Sequence, residues 1–360
     1  MVIIRAQALQ GLVEAVFGRL GCSGAEGRQV AASLVGANLT GHDSHGVIRV
    51  PRYVIWLEEG SILANQRIES IIDTPALALL DGKFGLGQSV APQAVEVGIA
   101  KCRESGIAAV ALRNAGHVGR VGEWAEMAAE AGIVSIHFVN ASGSVLVAPF
   151  GGIERRFSTA PYCLGVPRPG EPPIILDFAT SLVAEGKCLV ASQGGKPLPA
   201  DALIGPDGRV GNDPRLIYGD APTTGARSAQ AGPGAIRAFG EHKGSGLALM
   251  CELLGGSLTG TGATGPERRF ANGMFSIYID PARVDPDGFF PADVARYIAY
   301  VKSAKPSIDG GEVLVPGEPE RRTRGERLAK GIPLAPDTWR AIADVARRLG
   351  VEEERIAAAA

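Results

Sequence analysis

Apolar residues recur at helical spacing through the first seventy positions. Leu9, Leu12, Val13, Val16, Phe17 and Leu20 fall on one face, and Val30, Leu34, Val35, Ala37 and Leu39 on another, which is the period of amphipathic helices facing a shared core. Gly41 stops the second helix, His42-Asp43-Ser44 turns the chain, and a further helix runs through Tyr53, Trp56 and Leu57. Pro51 is tolerated there only in the first turn, where no N–H is needed. From residue 76 the pattern changes to short apolar runs alternating with helices: ALALL (76–80), a helix near 88–105, IAAVAL (107–112), a helix near 120–131 and IVSIHFV (133–139). That order predicts an α/β fold with a parallel core. IILDF (174–178), a helix from Ser181 and an irregular Gly/Pro-rich excursion over 194–240 follow. Beyond His242 the pattern gives a small-residue helix (GSGLALMCELLGGSL), the strand MFSIYID, an irregular PGEPERRTRGER and a last helix near 336–349. The Trp124/Met127 and Leu249/Met250 stripes read as helix core.

Composition narrows the function classes. A chain of 360 residues with 46% apolar content exceeds what one core usually serves, so more than one lobe is expected. The net charge of −2, with both signs interspersed, offers no basic stripe or acidic tail, so neither nucleic acid nor a membrane surface is an expected partner and a small molecule is. Cysteines 22, 102, 163, 188 and 251 have no paired spacing, which fits a reducing cytoplasm. The N-terminal MVIIRAQALQGLVEAVF lacks an uninterrupted apolar core of the kind that directs export.

Chemistry concentrates in LTGHDSHGVIRVPRYVIW (39–56). His42 and His45 could share a helical face, but no HExxH motif accompanies them and the remaining histidines stand apart, so no metal site is expected. A serine nucleophile is equally unsupported: no GxSxG elbow exists, and the adjacent side chains of Ser44 and His45 are expected to diverge. Two readings remain. His45 is a proton donor with Arg49, one turn on, holding a carboxylate, or His45 caps a helix and Arg49 is solvated. Further on, Gly85-Leu86-Gly87 between a strand and a helix looks like a dinucleotide fingerprint. The next strand, however, ends at Leu112-Arg113-Asn114 with no acid for a ribose, so a plain turn is the better reading.

Five blocks then resemble one family in order and spacing across nearly the whole chain: HDSHG with Arg49 and Pro51-x-Tyr53; NAGHVGRVGEWAEMAAEAG; VAPFGG; LDFATSLVAEGK; and GEHKGSGLALMCELLGGSLTG. They are similar to the type 2 malate/L-lactate dehydrogenases. The resemblance implies an α/β, non-Rossmann nicotinamide-binding fold. Its helical lobe combines residues 1–72 with 325–360, and residues 73–324 form the cofactor and substrate region. It implies an NAD(P)-dependent oxidoreductase interconverting a 2-oxo acid and a 2-hydroxy acid, using NAD or NADP; a cyclic imine reductase of the same family or a catalytically silent homologue are the alternatives.

By motif, His45 matches the proton donor and Ser44 its hydrogen-bonding neighbour, while Arg49 and Thr159 match substrate positions. Ala160 stands where the family pattern GTNP has asparagine. His117, Gly119, Arg120 and Val121 match a first cofactor loop, whose histidine has been given the proton-transfer role in some members. Asp177, Phe178, Ala179 and Thr180 match a second cofactor segment, His242 and Lys243 a third, Asn272 a fourth, and Gly317, Glu318, Pro319 and Glu320 a fifth. Lys187 occupies a position where some imine-reducing relatives carry an acid, which favours an oxo acid. Arg120 could hold a ribose 2′-phosphate. Without the family, Asp177 would read as a cap of the helix that follows it, His242-Lys243 as a solvated turn, and Glu318 and Glu320 as partners of nearby arginines. A homodimer is expected, with Tyr53, Ile55, Trp56, Leu57 and Ile62 as an apolar face that one chain cannot bury alone.

Overall fold

The computed structural model describes residues 1–192, 194, 196–220 and 228–359. The strand β1 (Val2–Ile4) leads into helices α1 (Ala6–Arg19) and α2 (Gly24–Leu39). Ser23 caps α2 by accepting a hydrogen bond from the Glu26 N–H. Two 3-10 turns, Asp43–His45 and Val47–Arg49, join α2 to α3 (Val50–Glu58), with Pro51 in its first turn. Leu9, Leu12, Val13, Val16 and Phe17 are buried together with Val30, Leu34 and Val35, and the same core takes in Ile332, Leu334, Ile342 and Val351 from the far end of the chain. Burial of each such side chain is worth about 1.5–3 kcal/mol. Tyr53 and Ile62 belong to this core and Trp56 packs against it, so the apolar face expected to need a second copy is largely covered within the chain.

The middle of the chain builds a seven-stranded sheet from β2 (Glu69–Asp73), β3 (Leu77–Asp81), β4 (Ile107–Ala115), β5 (Val134–Ser142), β7 (Pro161–Val166), β8 (Ile174–Ala179) and β12 (Ala271–Ile279). Helices α4 (Gly87–Ser105) and α5 (Val121–Glu130) pack on it, and the core they share contains Val90, Val95, Leu112 and Trp124. The strand order is β2-β3-β4-β12-β5-β7-β8. Within this sheet only β3 and β4 pair in parallel, which corrects the expected parallel core. The cause is β12, which lies antiparallel to both β4 and β5. It thereby separates two strands that run the same way and that the local βαβα pattern made look like neighbours.

The excursion over 194–240 is not wholly irregular; Gly195 and residues 221–227 lie outside the described residues. Within the rest, β9 (Leu203–Ile204), β10 (Val210–Gly211) and β11 (Ala235–Arg237) join β6 (Val147–Ala148) in a second, four-stranded sheet. It covers its own core of Val183, Leu198, Ile217, Tyr218 and Ile236, to which α6 (Glu185–Ser192) and α7 (Arg215–Tyr218) contribute. The helix expected from Ser181 therefore starts at Glu185, because Ser181 bridges to Ala238 and its hydroxyl bonds the Val183 carbonyl. Helix α8 (His242–Cys251) continues as a π-helix over Glu252–Leu258. Leu249 and Met250 are exposed there, at 42% and 43%, and so are not core.

After β12 come α9 (Pro281–Val284), α10 (Phe289–Lys302) and α11 (Glu318–Lys330). The stretch read as irregular because of its Pro, Gly and charge is thus mostly α11. Pro319 sits in its first turn, and a basic last turn matches the helix dipole. Strand β13 (Ile332–Leu334) pairs antiparallel with β1, and α12 (Pro336–Arg348) and α13 (Glu353–Ala359) complete the chain. No helix among the described residues is long and apolar enough to cross a membrane.

Candidate active site

The first 3-10 turn presents His45 because three side chains brace it. Asn38, at 1% exposure, donates to Asp43 at 2.6 Å and accepts from the Val47 N–H at 2.8 Å. Arg327 of α11 grips Asp43 with both terminal nitrogens, at 2.6 and 2.9 Å. Gly46 is required by close approach: a Cβ there would lie 2.2 Å from the Asn38 amide oxygen.

Ser44 Oγ lies 2.9 Å from His45 Nδ1. The two side chains were expected to diverge, and they do not. The tight turn curls the backbone, and Nδ1, bonded to the ring atom nearest the chain, is within reach of the neighbouring hydroxyl where Nε2 is not. Gly186 of α6 packs on Ser44, a Cβ there falling 2.5 Å from the serine Cβ. Arg49 is not simply solvated: its Nε donates to the Ser44 carbonyl at 2.7 Å and its Nη2 lies 3.1 Å from Glu185, which also accepts from the Tyr218 hydroxyl at 2.5 Å.

His117, on the loop between β4 and α5, stacks on His45 with ring centroids 5.4 Å apart and planes 17° from parallel. Its Nδ1 is 2.5 Å from the Tyr53 hydroxyl, which accepts from Gln88 Nε2 at 2.9 Å. Burial, then the neighbouring His117, Arg49, His42 and Arg120, hold His45 well below the usual imidazole range. Burial followed by Arg49 brings His117 down to about 3. Both rings are therefore neutral at rest, with Nδ1 engaged and Nε2 unengaged among the described residues.

The remaining candidates divide by what their side chains already do. Asn272 is buried and committed, accepting from the Val118 N–H at 2.8 Å and donating to the Asn140 carbonyl at 2.6 Å, so it anchors the His117 loop to β12 and β5. Gly119 is left-handed in that loop at φ +74°, and Val121 opens α5. Arg120 is buried and bonded to Glu126 through both terminal nitrogens, while its Nε has no hydrogen-bond partner among the described residues. Burial works against its charge, but Glu126, Asp177 and Glu123 outweigh it. Asp177 accepts from the Gly122 N–H at 2.7 Å, so it caps the first turn of α5, which precedes it, and not the helix that follows it; burial raises its carboxyl above the usual range.

Phe178 lies edge-on to Phe239 at 5.3 Å, Ala179 is half-buried beside it, and Thr180 is fully buried. The Thr180 hydroxyl donates to the Thr159 carbonyl at 3.2 Å and the Ala160 carbonyl at 2.8 Å. Ala160 sits at φ +27°, a conformation asparagine adopts at less cost. His242 and Lys243 are exposed at the start of α8, His242 against Phe150. Gly317, left-handed at φ +91°, precedes Pro319. Glu318 bonds Lys302 rather than an arginine, and Glu320 lies 3.5 Å from His42. Lys187 is exposed on α6, where it makes no side-chain hydrogen bond or ion pair among the described residues. Among those residues no group of three or more His, Cys, Asp or Glu could hold a metal ion.

Sequence reasoning missed Gln88, Glu185, Tyr218 and Arg327, and it read Tyr53 as part of an interface. Gln88 had one signal, its place directly after the glycine turn. Arg327 had none, because the pattern of the stretch PGEPERRTRGER that carries it read as irregular.

A profile of the malate/L-lactate dehydrogenase family matches residues 4–343. Hydroxycarboxylate dehydrogenase B of Escherichia coli (strain K12) is 41% identical over 98% of this chain and 96% of its own length. A solved Escherichia coli structure superposes with a TM-score of 0.91 at 39% identity, covering 99% of this chain and 98% of the other. Malate dehydrogenase from Pyrococcus horikoshii OT3 superposes with a TM-score of 0.83 at 30% identity, covering 98% and 96%.

Proposed function

The chain belongs to the malate/L-lactate dehydrogenase family, and on that premise we propose that it interconverts a small 2-oxo acid and its 2-hydroxy acid with NAD or NADP, His45 being the proton donor. The observation that carries this reading is the Arg49–Ser44–His45 constellation. A guanidinium fixed through Nε keeps Nη1 unengaged among the described residues, within one turn of an imidazole whose Nδ1 is held by a hydroxyl. That pairing suits a substrate with a carboxylate next to the carbon whose oxygen gains or loses a proton.

A nicotinamide, when bound, supplies or accepts the hydride. The residues present fit such a dinucleotide: His242 and Lys243 are exposed at the start of α8 as partners for its phosphates, and Phe178 packs edge-on against Phe239, whose carbonyl accepts from the Gly244 N–H in the first turn of that helix. With Arg120 committed to Glu126, no free cation of the first cofactor loop awaits a ribose 2′-phosphate, which favours NAD. At rest His45 is neutral partly because Arg49 is near. A substrate carboxylate against Arg49 cancels that charge, so substrate binding itself raises the proton affinity of His45 for the reducing direction.

The working unit is proposed to be a homodimer. Since Tyr53 and Ile62 are buried within the chain, the face assigned to the second copy is the exposed row Leu249, Met250, Leu253 and Leu258 of α8 and its π-helical extension. The test is oxidation of NADH and NADPH by full-length protein with a panel of 2-oxo acids, with light scattering at the same concentration. Turnover with NADH preferred, by a dimer, is expected. His45→Ala should cut turnover roughly 10²–10⁴-fold with cofactor affinity retained. Near-normal turnover in His45→Ala alongside an inactive His117→Ala would transfer the proton role to His117, and a fully active monomer would remove the dimer.

A further inference from the structure

The glycine turn Gly85-Leu86-Gly87 has no dinucleotide part in the reading above. Its structural effect is to bring the first turn of α4 against the His117 loop, since a Cβ on Gly87 would lie 2.1 Å from the His117 carbonyl oxygen. The residue delivered by that approach is Gln88, which is 1% exposed. Its Nε2 donates to the Tyr53 hydroxyl at 2.9 Å, and that hydroxyl lies 2.5 Å from His117 Nδ1. The Tyr53 ring cannot swing away. It stacks on Trp56 at 5.8 Å, tilts against Phe17 at 6.5 Å, and Trp56 is itself stacked on Phe270 at 4.5 Å.

With Gln88 Nε2 toward the phenol and its amide oxygen buried without a hydrogen-bond partner among the described residues, the donor inventory of this chain of groups leaves one arrangement. An amide NH₂ only donates, so the phenol oxygen accepts from Gln88, and the single phenol hydrogen is left for His117 Nδ1. Burial pushes the Tyr53 phenol up to about 12, so that hydrogen is present throughout the neutral range. A neutral imidazole whose Nδ1 accepts carries its proton on Nε2. His45 differs: the Ser44 hydroxyl beside its Nδ1 can turn to donate or to accept, so it follows His45 through either protonation state.

We propose that Gln88 and Tyr53 are positioning residues that fix His117 as its Nε2–H tautomer, making it a hydrogen-bond donor to the substrate oxygen and leaving proton exchange to His45. The tautomer assignment is independent of the reaction; its catalytic consequence rests on the oxidoreductase reading above. A histidine that only donates steadies charge on the substrate oxygen without taking the proton, which separates the roles of two stacked imidazoles that residue type cannot separate.

The test is long-range 1H–15N correlation of the imidazole nitrogens in uniformly 15N-labelled full-length protein at neutral pH without substrate, with the His117 signals identified by their loss in His117→Ala. The expected wild-type result is an unprotonated Nδ1 and a protonated Nε2 on His117. In Tyr53→Phe the two tautomers should mix, and kcat for oxo-acid reduction should fall by about tenfold or more while the KM for the nicotinamide cofactor stays within about twofold. A protonated Nδ1 in the wild type, which would mean that Gln88 turns its oxygen to the phenol, overturns the proposal, and needs no variant to fold. Unchanged His117 nitrogens in Tyr53→Phe overturn it as well. Absence of oxo-acid turnover together with the expected spectrum overturns the oxidoreductase reading and upholds the tautomer assignment.

Discussion

Three of the five histidines of this chain are held away from their charged form by their surroundings, and His137 is the one that no candidate chemistry uses. It is fully buried in β5, with Nδ1 2.8 Å from the Ser276 hydroxyl and Nε2 3.0 Å from that of Ser135. Both ring nitrogens are satisfied by groups that can donate or accept, so the neutral ring is fully bonded and nothing balances a positive one. Burial brings it from 6.5 down to about 3. The unfolded chain therefore binds this proton more readily than the folded one. The contribution is complete above pH 6.5 and is lost as pH falls through that value toward 3, at about 1.4 kcal/mol per pH unit. Urea unfolding between pH 7 and 4.5 should show stability declining on acidification, with a shallower decline in His137→Leu; identical slopes would refute the assignment. At this scale the sequence was informative about residue type and poor about partners. His45, Arg49 and His117 stand out from local chemistry and motif, whereas the pairing of Ser44 with His45 depends on a backbone turn that adjacency alone does not reveal.

At the scale of elements, the turn that presents His45 is short and has no long helix of its own to stiffen it. Its rigidity is imported from α2 through Asn38 and from α11 through Arg327. Arg327→Gln removes the two-pronged grip on Asp43 and leaves that carboxylate with Asn38 as its remaining partner. The expected outcome is a modest drop in melting temperature with a larger loss of kcat/KM, about tenfold or more, because a turn displaced by a fraction of an ångström misplaces the imidazole. Full activity in that variant would show that α2 alone holds the turn. The elements themselves were legible where periodicity was strong: the observed bounds of α4, β4, α5 and β5 lie within about three residues of those expected from pattern. They were not legible in α11, where charged residues, an early proline and an internal glycine gave no apolar stripe, nor in α10, which has no buried residue to mark a face.

For the molecule as a whole, alternating strands and helices announced a mixed α/β protein but could not give the strand order, since that is decided by a segment more than a hundred residues away. β12 occupies the middle of the large sheet, bonded to β4 on one side and β5 on the other. Until residues 271–279 have arrived, β4 and β5 each have one edge open, and the loop that holds His117 lacks the Asn272 side chain that anchors it. Assembly of the sheet is thus gated by the last of its own seven strands to leave the ribosome, and the nascent chain must keep two long apolar edges from pairing wrongly while it waits. Contacts of such sequence separation form late and slowly. In pulse-labelled hydrogen exchange during refolding, the amides of β4, β5 and β12 should become protected together in one slow phase, after those of α4. Early protection of β4 with β5, before β12, would mean that the two halves first dock on each other and are later prised apart.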